Sequence, residues 1–443
     1  MAMKLRRRTL ARFENREQVR ARMLSVRARA IGLITLVLAP VVLVGCQRSE
    51  GATPPPAAPP AAYAAGPHRP PAKELAELGR AMFFDATLSA SGRTSCASCH
   101  DPAHAYGPPN ALSVQLAGPD GKQPGTRAAP SLRYLQTLPP FSEHHFDNDG
   151  DDSIDAGPTG GHTWDGRASS AHEQARLPLL SPLEMANESP AAVVEKLKRS
   201  SYAARFRKAF GERVFDDADA AFRGALMALE VFQETPAEFY PYSSKYDAVL
   251  RGQAQFNGQE ARGFALFNDE AKGNCASCHL SRRTNDGAFP LFTDFGHIAL
   301  GVPRNKAIPA NKDATYSDMG LCGPYRTDFS SQHDYCGRFR TPTLRNVAVR
   351  GSFFHNGIYH SLDEVLDFYA ERDVHAERFY PRDARGRVRK FDDLPEAFHA
   401  NVNTDAPFDR KPGQQPALTP GERRDIIAFL KTLTDSDLTL LRP

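Results

Sequence analysis

The sequence lacks an apolar run long enough to span a bilayer, has few stretches that alternate apolar and polar residues as strands do, and holds a single tryptophan among its 443 residues. The apolar stretch over residues 31–45 falls short of the roughly 20 residues that a membrane-crossing helix needs. The scarcity of alternation argues against a sandwich or barrel. Excess positive charge is also missing from most of the chain. Of the 55 Lys and Arg, ten (Lys4 and nine Arg) lie in the first 45 residues with only Glu14 and Glu17 among the 52 acidic residues, leaving 45 basic against 50 acidic. A slightly acidic body is a poor ligand for phosphate backbones, so a nucleic-acid partner is not expected.

What is present begins with a leader. An arginine-rich segment, the 31–45 apolar run and then Cys46 read as an export signal over residues 1–46. Leu43-Val44-Gly45-Cys46 resembles a bacterial lipobox, which would lipidate Cys46 and tie the protein to a membrane; a plain cleaved signal or a short anchor are the alternatives. The long basic stretch before Met23 suggests a start there. Arg6-Arg7-Arg8 loosely resembles a twin-arginine signal, with the general secretory route as the alternative. A Pro/Ala-rich tether follows within 47–72.

The rest repeats itself. Gly79-Arg80-Ala81-Met82-Phe83-Phe84-Asp85 matches Gly263-Phe264-Ala265-Leu266-Phe267-Asn268-Asp269, each copy closing a helical stretch just ahead of a CxxCH. Periodicity predicts helices over 73–84, 191–210, 218–232, 260–267, 362–371 and 421–434, with Ser361 and Glu364 forming a capping box for the fifth. The expected fold is mainly α: two cytochrome c-like haem domains, 73–238 and 239–443, with long loops and little β.

Of the seven cysteines, four lie in Cys96-Ala97-Ser98-Cys99-His100 and Cys275-Ala276-Ser277-Cys278-His279. Each motif offers two thiols to one macrocycle edge and an imidazole to its iron, so two covalent haem c groups are expected, with His100 and His279 as metal ligands. A redox CxxC or half a zinc site is the bland alternative. Cys322 and Cys336 remain, either as a disulfide or as two buried thiols.

Between the motifs lie Trp164-Asp165-Gly166-Arg167, Gln174, Pro178, Glu184 and Met185. With residues 78–85, 127–130, Arg340-Thr341-Pro342-Thr343-Leu344-Arg345-Asn346 and Phe354-His355-Asn356-Gly357, these make nearly everything from Lys73 onward resemble the bacterial di-haem cytochrome c peroxidase superfamily, MauG included. The resemblance implies that Gln174, Pro178 and Glu184 line the open face of the N-terminal haem, and that Trp164 carries electrons between the haems. Peroxide cleavage needs a base for one proton and an acid to return it, a role that suits Glu184; Gln174 would orient peroxide and Pro178 keep the pocket dry. Taken alone, Glu184 would be a solvated acid and Trp164 a core residue.

Two departures from the classical members matter. Residues 101–129 offer only His104 as a distal ligand, four residues past His100, so the first haem is expected to be open. Where classical members place a Met ligand, this chain has Tyr369, on the stripe Leu362, Val365, Leu366 and Tyr369. Core packing is the plain reading of that stripe; resemblance to the MauG branch makes Tyr369 a ligand. Such a haem suits sharing oxidising power and oxidising a residue, with Trp as the candidate, on a periplasmic partner protein. Segments 391–395, 401–403, 432–435 and 321–324 look more like MbnH-like enzymes. The rivals are a classical peroxidase fed by a small cytochrome or cupredoxin, for which Met319 is the remote alternative ligand, and a di-haem electron carrier.

Calcium is a weaker expectation. Asp147, Asp149, Asp151 and Asp155 have calcium-like spacing, but Asp152 replaces the Gly and Pro158 the Glu of an EF-hand loop. The family's calcium site near 340–342 has Ala128 where an Asn is usual.

Overall fold

The frame is built from two helix crossings that repeat one design. The computed structural model describes residues 70–146 and 155–439, so the leader, most of the tether, and Asp147, Asp149 and Asp151 lie outside the described residues. Helix α1 (Ala72–Phe83) crosses α5 (Ala218–Gln233), and α7 (Gly258–Asn268) crosses α9 (Pro420–Lys431). Both crossings are possible only because a glycine stands at the contact. A Cβ on Gly79 would lie 1.9 Å from the Ala228 carbonyl oxygen, and one on Gly263 would lie 1.9 Å from that of Asp425. One turn after each glycine a Phe meets another edge-on: Phe83 with Phe232 at 5.3 Å, and Phe267 with Phe429 at 5.2 Å. The sequence repeat is thus a repeat of helix packing.

The intervening helices are α2 (Ala171–Leu180), α3 (Pro190–Lys198), α4 (Ala203–Phe210), α6 (Lys245–Leu250) and, later, α8 (Leu362–Glu371). Their starts follow from local chemistry. Ser170, Ser189, Ser244, Asn257, Ser361 and Thr419 each accept a hydrogen bond from a first-turn amide, and the capping box expected at Ser361 and Glu364 is present.

The helix expected over 191–210 is broken into α3 and α4. Ser200 caps the break, its amide and its hydroxyl both bonding to the Leu197 carbonyl, as serines do when they compete with a helix for its own backbone. Helix α2 was not anticipated, because Pro178 stands inside it.

Strand content is confined to two-residue pairs, Leu116–Ala117 with Gln123–Pro124 and His297–Ile298 with Phe339–Arg340, both antiparallel. The fold is mainly helical with little β, as the patterning implied. One apolar cluster runs from Leu75 to Phe239 around α1 and α5, a second from Tyr246 to Leu433 around α7 and α9, and a third, from Val302 to Phe408, packs Phe368 of α8. Cys322 and Cys336 are joined as a disulfide. Among the described residues no helix is long and apolar enough to cross a membrane.

Candidate functional site

Each CxxCH motif opens on a single 3₁₀ turn, Cys96–Ser98 and Cys275–Ser277, followed by the second Cys and then the His. All four thiols are free. His100 Nδ1 lies 3.0 Å from the carbonyl oxygen of Tyr106, and His279 Nδ1 lies 2.9 Å from that of Phe292. A carbonyl can only accept, so Nδ1 carries the proton and Nε2 is left with its lone pair, the tautomer a metal needs. Burial pushes both imidazoles down to about 4, which keeps them neutral at physiological pH. Tyr106 and Phe292, which supply the carbonyls, both adopt left-handed backbone (φ 54° and 55°), an unusual conformation for bulky residues held in both copies.

A second repeat escaped the sequence reading. Pro130-Ser131-Leu132-Arg133 matches Pro342-Thr343-Leu344-Arg345, each followed by a residue at φ near 60°, Tyr134 and Asn346. The four-residue match was the available signal. Its arginines diverge in use: Arg345 holds the fully buried Asp247, whereas Arg133 reaches Asp435 and Asp437.

The first cavity gathers Cys96, Cys99 and His100 with Gln174, Pro178, Glu184 and Met185. Gln174 and Pro178 are one turn apart on α2, so they share a face. Pro178 has no amide to give the Gln174 carbonyl, which leaves the helix unbonded at the point where it meets the cavity. Glu184 follows on the loop, fixed by backbone bonds from its amide to Ser181 and from Gly118 to its carbonyl. Glu184 lines the cavity and is exposed there. Desolvation by the surrounding protein still pushes its pKa above the usual 4.5, against a hydrogen bond from Ser181 and the charge of Arg167. His100 is the sole imidazole among the lining residues; His104 is turned to Asp101, Nδ1 to Oδ2 at 2.6 Å.

The second cavity holds Cys275, Cys278, His279 and Tyr369. Tyr369 packs against Phe354 and Phe408, burial pushes its phenol well above the usual 10, and its hydroxyl makes no hydrogen bond to a described residue. Met319 packs in the third cluster and is not among the residues that line the cavity.

Trp164 is 8 % exposed and lines the second cavity beside Pro130 and Ser131 of the first half. Its indole N–H donates to the Ala128 carbonyl at 2.8 Å, and its own carbonyl accepts from the Arg340 amide at 2.8 Å. The next residue, Asp165, is fully buried between Arg127 and Arg167, which hold its carboxyl well below the usual range; Arg127 also grips Asp318 with two bonds. This lattice pins the tryptophan to both halves of the chain.

Each cavity pairs two thiols and a neutral, oriented imidazole with apolar walls, and the second also contains the buried Arg340 and the half-buried Arg350, neither with a carboxylate partner among the described residues. That donor set fits a thioether-linked tetrapyrrole carrying its own carboxylates. Calcium finds less: Asp155 is engaged by His144, and among the described residues no group of three or more His, Cys, Asp or Glu could hold a metal ion.

Residues 73–255 match the model of the di-haem cytochrome c peroxidase family. The methylamine utilization protein MauG of Paracoccus denitrificans is 34% identical over 382 residues, 85% of this chain and 92% of its own. This chain belongs to the di-haem cytochrome c peroxidase family. It is therefore an oxidoreductase that acts on peroxide with two c-type haems. The crystal structure of the diheme peroxidase BthA from Burkholderia thailandensis is 39% identical with a TM-score of 0.74, covering 85% of this peroxidase and 89% of that chain. A MauG-like protein associated with microbial copper homeostasis is 26% identical with a TM-score of 0.58, covering 84% and 94%. By these measures this peroxidase is nearer to BthA than to the copper-associated protein.

Proposed function

We propose that residues 73–238 and 239–443 are two related haem domains of an exported enzyme, in which peroxide reacts at the first and a residue on a partner protein is oxidised by way of the second. The repeated glycine crossings and the repeated imidazole-to-carbonyl bonds support two domains of one type. Thioether bonds from Cys96 and Cys99, and from Cys275 and Cys278, would hold the haems, with His100 and His279 below them. Haem, when bound, supplies the two-electron redox chemistry that peroxide reduction requires.

The chain's own residues divide the remaining work. Glu184 takes a proton from one peroxide oxygen and returns it to the leaving oxygen; its raised pKa makes its carboxylate a stronger base than that of a solvated glutamate. Gln174 donates from its amide to hold the peroxide, and Pro178 offers no competing donor. Trp164, held between the halves, is the path for electrons. Peroxide takes two electrons and two protons to give two waters; both come from the partner residue, for example a tryptophan, which releases two electrons and two protons as it takes up an oxygen atom from water.

The observation that carries this reading is the contrast between the cavities: no second imidazole beside Glu184, and Tyr369 beside His279. Tyr369 as the second-site ligand favours the oxidised state, which suits oxidising a protein residue better than accepting electrons from a small cytochrome. The role of MauG in methylamine utilization and the copper association of the MauG-like relative are compatible with action on companion proteins. An exported location, and a lipid on Cys46, belong to the same proposal. Low-temperature EPR of the resting ferric protein tests it: one high-spin and one low-spin signal are expected, and two low-spin signals would overturn the open first site. A candidate partner incubated with enzyme and peroxide should gain oxygen by mass spectrometry; if every candidate stays unmodified while reduced cytochrome is rapidly oxidised, the classical peroxidase reading replaces this one.

A further inference from the structure

Buried guanidinium groups in this protein are ordinarily matched. Arg127 holds Asp165 and Asp318, Arg133 holds Asp435, and Arg345 holds Asp247. Two are not. Arg340, 6 % exposed, has no carboxylate partner among the described residues; its Nε donates to the Thr163 carbonyl at 3.1 Å, and its Nη1 is buried without any hydrogen bond. Arg350, half-buried, also lacks a carboxylate among the described residues and donates only to the Ala129 carbonyl, at 3.2 Å. Both line the second cavity. The two carboxylates lining the same cavity are already engaged, Asp318 by Arg127 and Asp393 by Arg304.

Burial alone lowers both arginines to about 10, so each stays cationic at neutral pH. A charge held out of water without a counterion is costly, and natural interiors resolve the cost with a paired anion. Guanidinium recognises carboxylate through parallel N–H bonds, so two such groups in one cavity match a ligand with two carboxylates.

We propose that Arg340 and Arg350 form an anion-binding pair whose ligands are the two carboxylate side chains of the tetrapyrrole in the second cavity, fastening it to the segments that hold Trp164. The fastening follows from the backbone contacts. Arg340 is bonded to Thr163 and Trp164, and Arg350 to Ala129, next to the Ala128 carbonyl that receives the indole N–H. Ligand and tryptophan are therefore held by the same two strips of chain. The inference rests on haem occupying the second cavity, and on neither Tyr369 ligation nor partner oxidation.

The test uses the haem-loaded protein with Arg340→Met, Arg350→Met and the conservative Arg340→Lys, read by redox titration of each haem and by the emission of Trp164, the only tryptophan. A nearby cation favours the less positive, reduced haem. Each Met variant should lower the midpoint potential of the second haem more than that of the first, and change the Trp164 emission; Arg340→Lys should restore most of both. Two haems per chain with wild-type potentials and emission in both Met variants would overturn this inference alone. It would also fall if chloride or phosphate shifted the wild-type potential and Arg340→Met abolished that shift, because the pair would then bind a small anion. Fewer than two haems per chain would overturn the underlying haem assignment as well.

Discussion

The indole N–H of Trp164 donates to the carbonyl oxygen of Ala128 at 2.8 Å, which fixes the chain's one tryptophan against the segment that runs through Pro130, on the second cavity, to Leu132, on the first. Trp164→Phe removes both the donor and the easily oxidised ring. Leaving the Ala128 carbonyl unpaired should cost about 1 kcal/mol in chemical denaturation. The functional effect should be far larger: electron transfer between the haems, followed by stopped-flow absorbance after peroxide addition, should slow markedly. Unchanged kinetics would remove Trp164 from the path.

Glu184→Gln should reduce the rate of reaction with peroxide by about 10²- to 10⁴-fold, the range for loss of a positioned acid–base group, with both haems intact by absorbance. The pH profile has a definite sign. Desolvation by the surrounding protein raises the carboxyl, so its base form disappears as pH falls through a value higher than 4.5, and the rate should fall on that acid limb. The Gln variant should lack the limb. The same shift means that the folded state binds this proton more tightly than the unfolded state, so Glu184 contributes stability below pH 4.5 that is lost as pH rises through the folded value.

Tyr369→Phe should abolish the low-spin EPR signal assigned to a His279 and Tyr369 pair. Tyr369→Met should raise the midpoint potential of the second haem, because a thioether favours the reduced state and a phenolate the oxidised state. Spectra and potentials unchanged in both variants would return Tyr369 to the aromatic core formed with Phe354 and Phe408.

Gly263→Ala places a methyl group 1.9 Å from the Asp425 carbonyl oxygen, and Gly79→Ala does the same at Ala228. Backbone cannot rotate away as a side chain can. Each change should cost roughly 3 kcal/mol or more in thermal or urea unfolding, the upper end of overpacking. Substitution at Gly252, where no atom lies within 4 Å of an added Cβ but φ is 73°, should show only the smaller strain of a left-handed residue.

Several features were legible because they depend on neighbours in sequence. The thioether spacing places two thiols and a His on one turn, the caps act within four residues, and the 79–85 and 263–269 repeat marks equal helix crossings. The break at Ser200 and the helix around Pro178 were not legible, since propensity and periodicity there point one way and local hydrogen bonding and packing another.

By itself the sequence determined the two attachment motifs and the mainly helical class, and through its family resemblance it offered a small set of candidate residues, Gln174, Pro178, Glu184, Trp164 and Tyr369. Tertiary structure decided which of them meet. Glu184 reaches the cavity of Cys96 across more than 80 residues of chain, Tyr369 that of Cys275 across more than 90, and Arg340 is left without a counterion while Arg345, five residues later, has one. Covalent spacing fixes what lies within a turn or two. Burial and charge pairing between distant segments depend on how the whole chain packs, which no local pattern records.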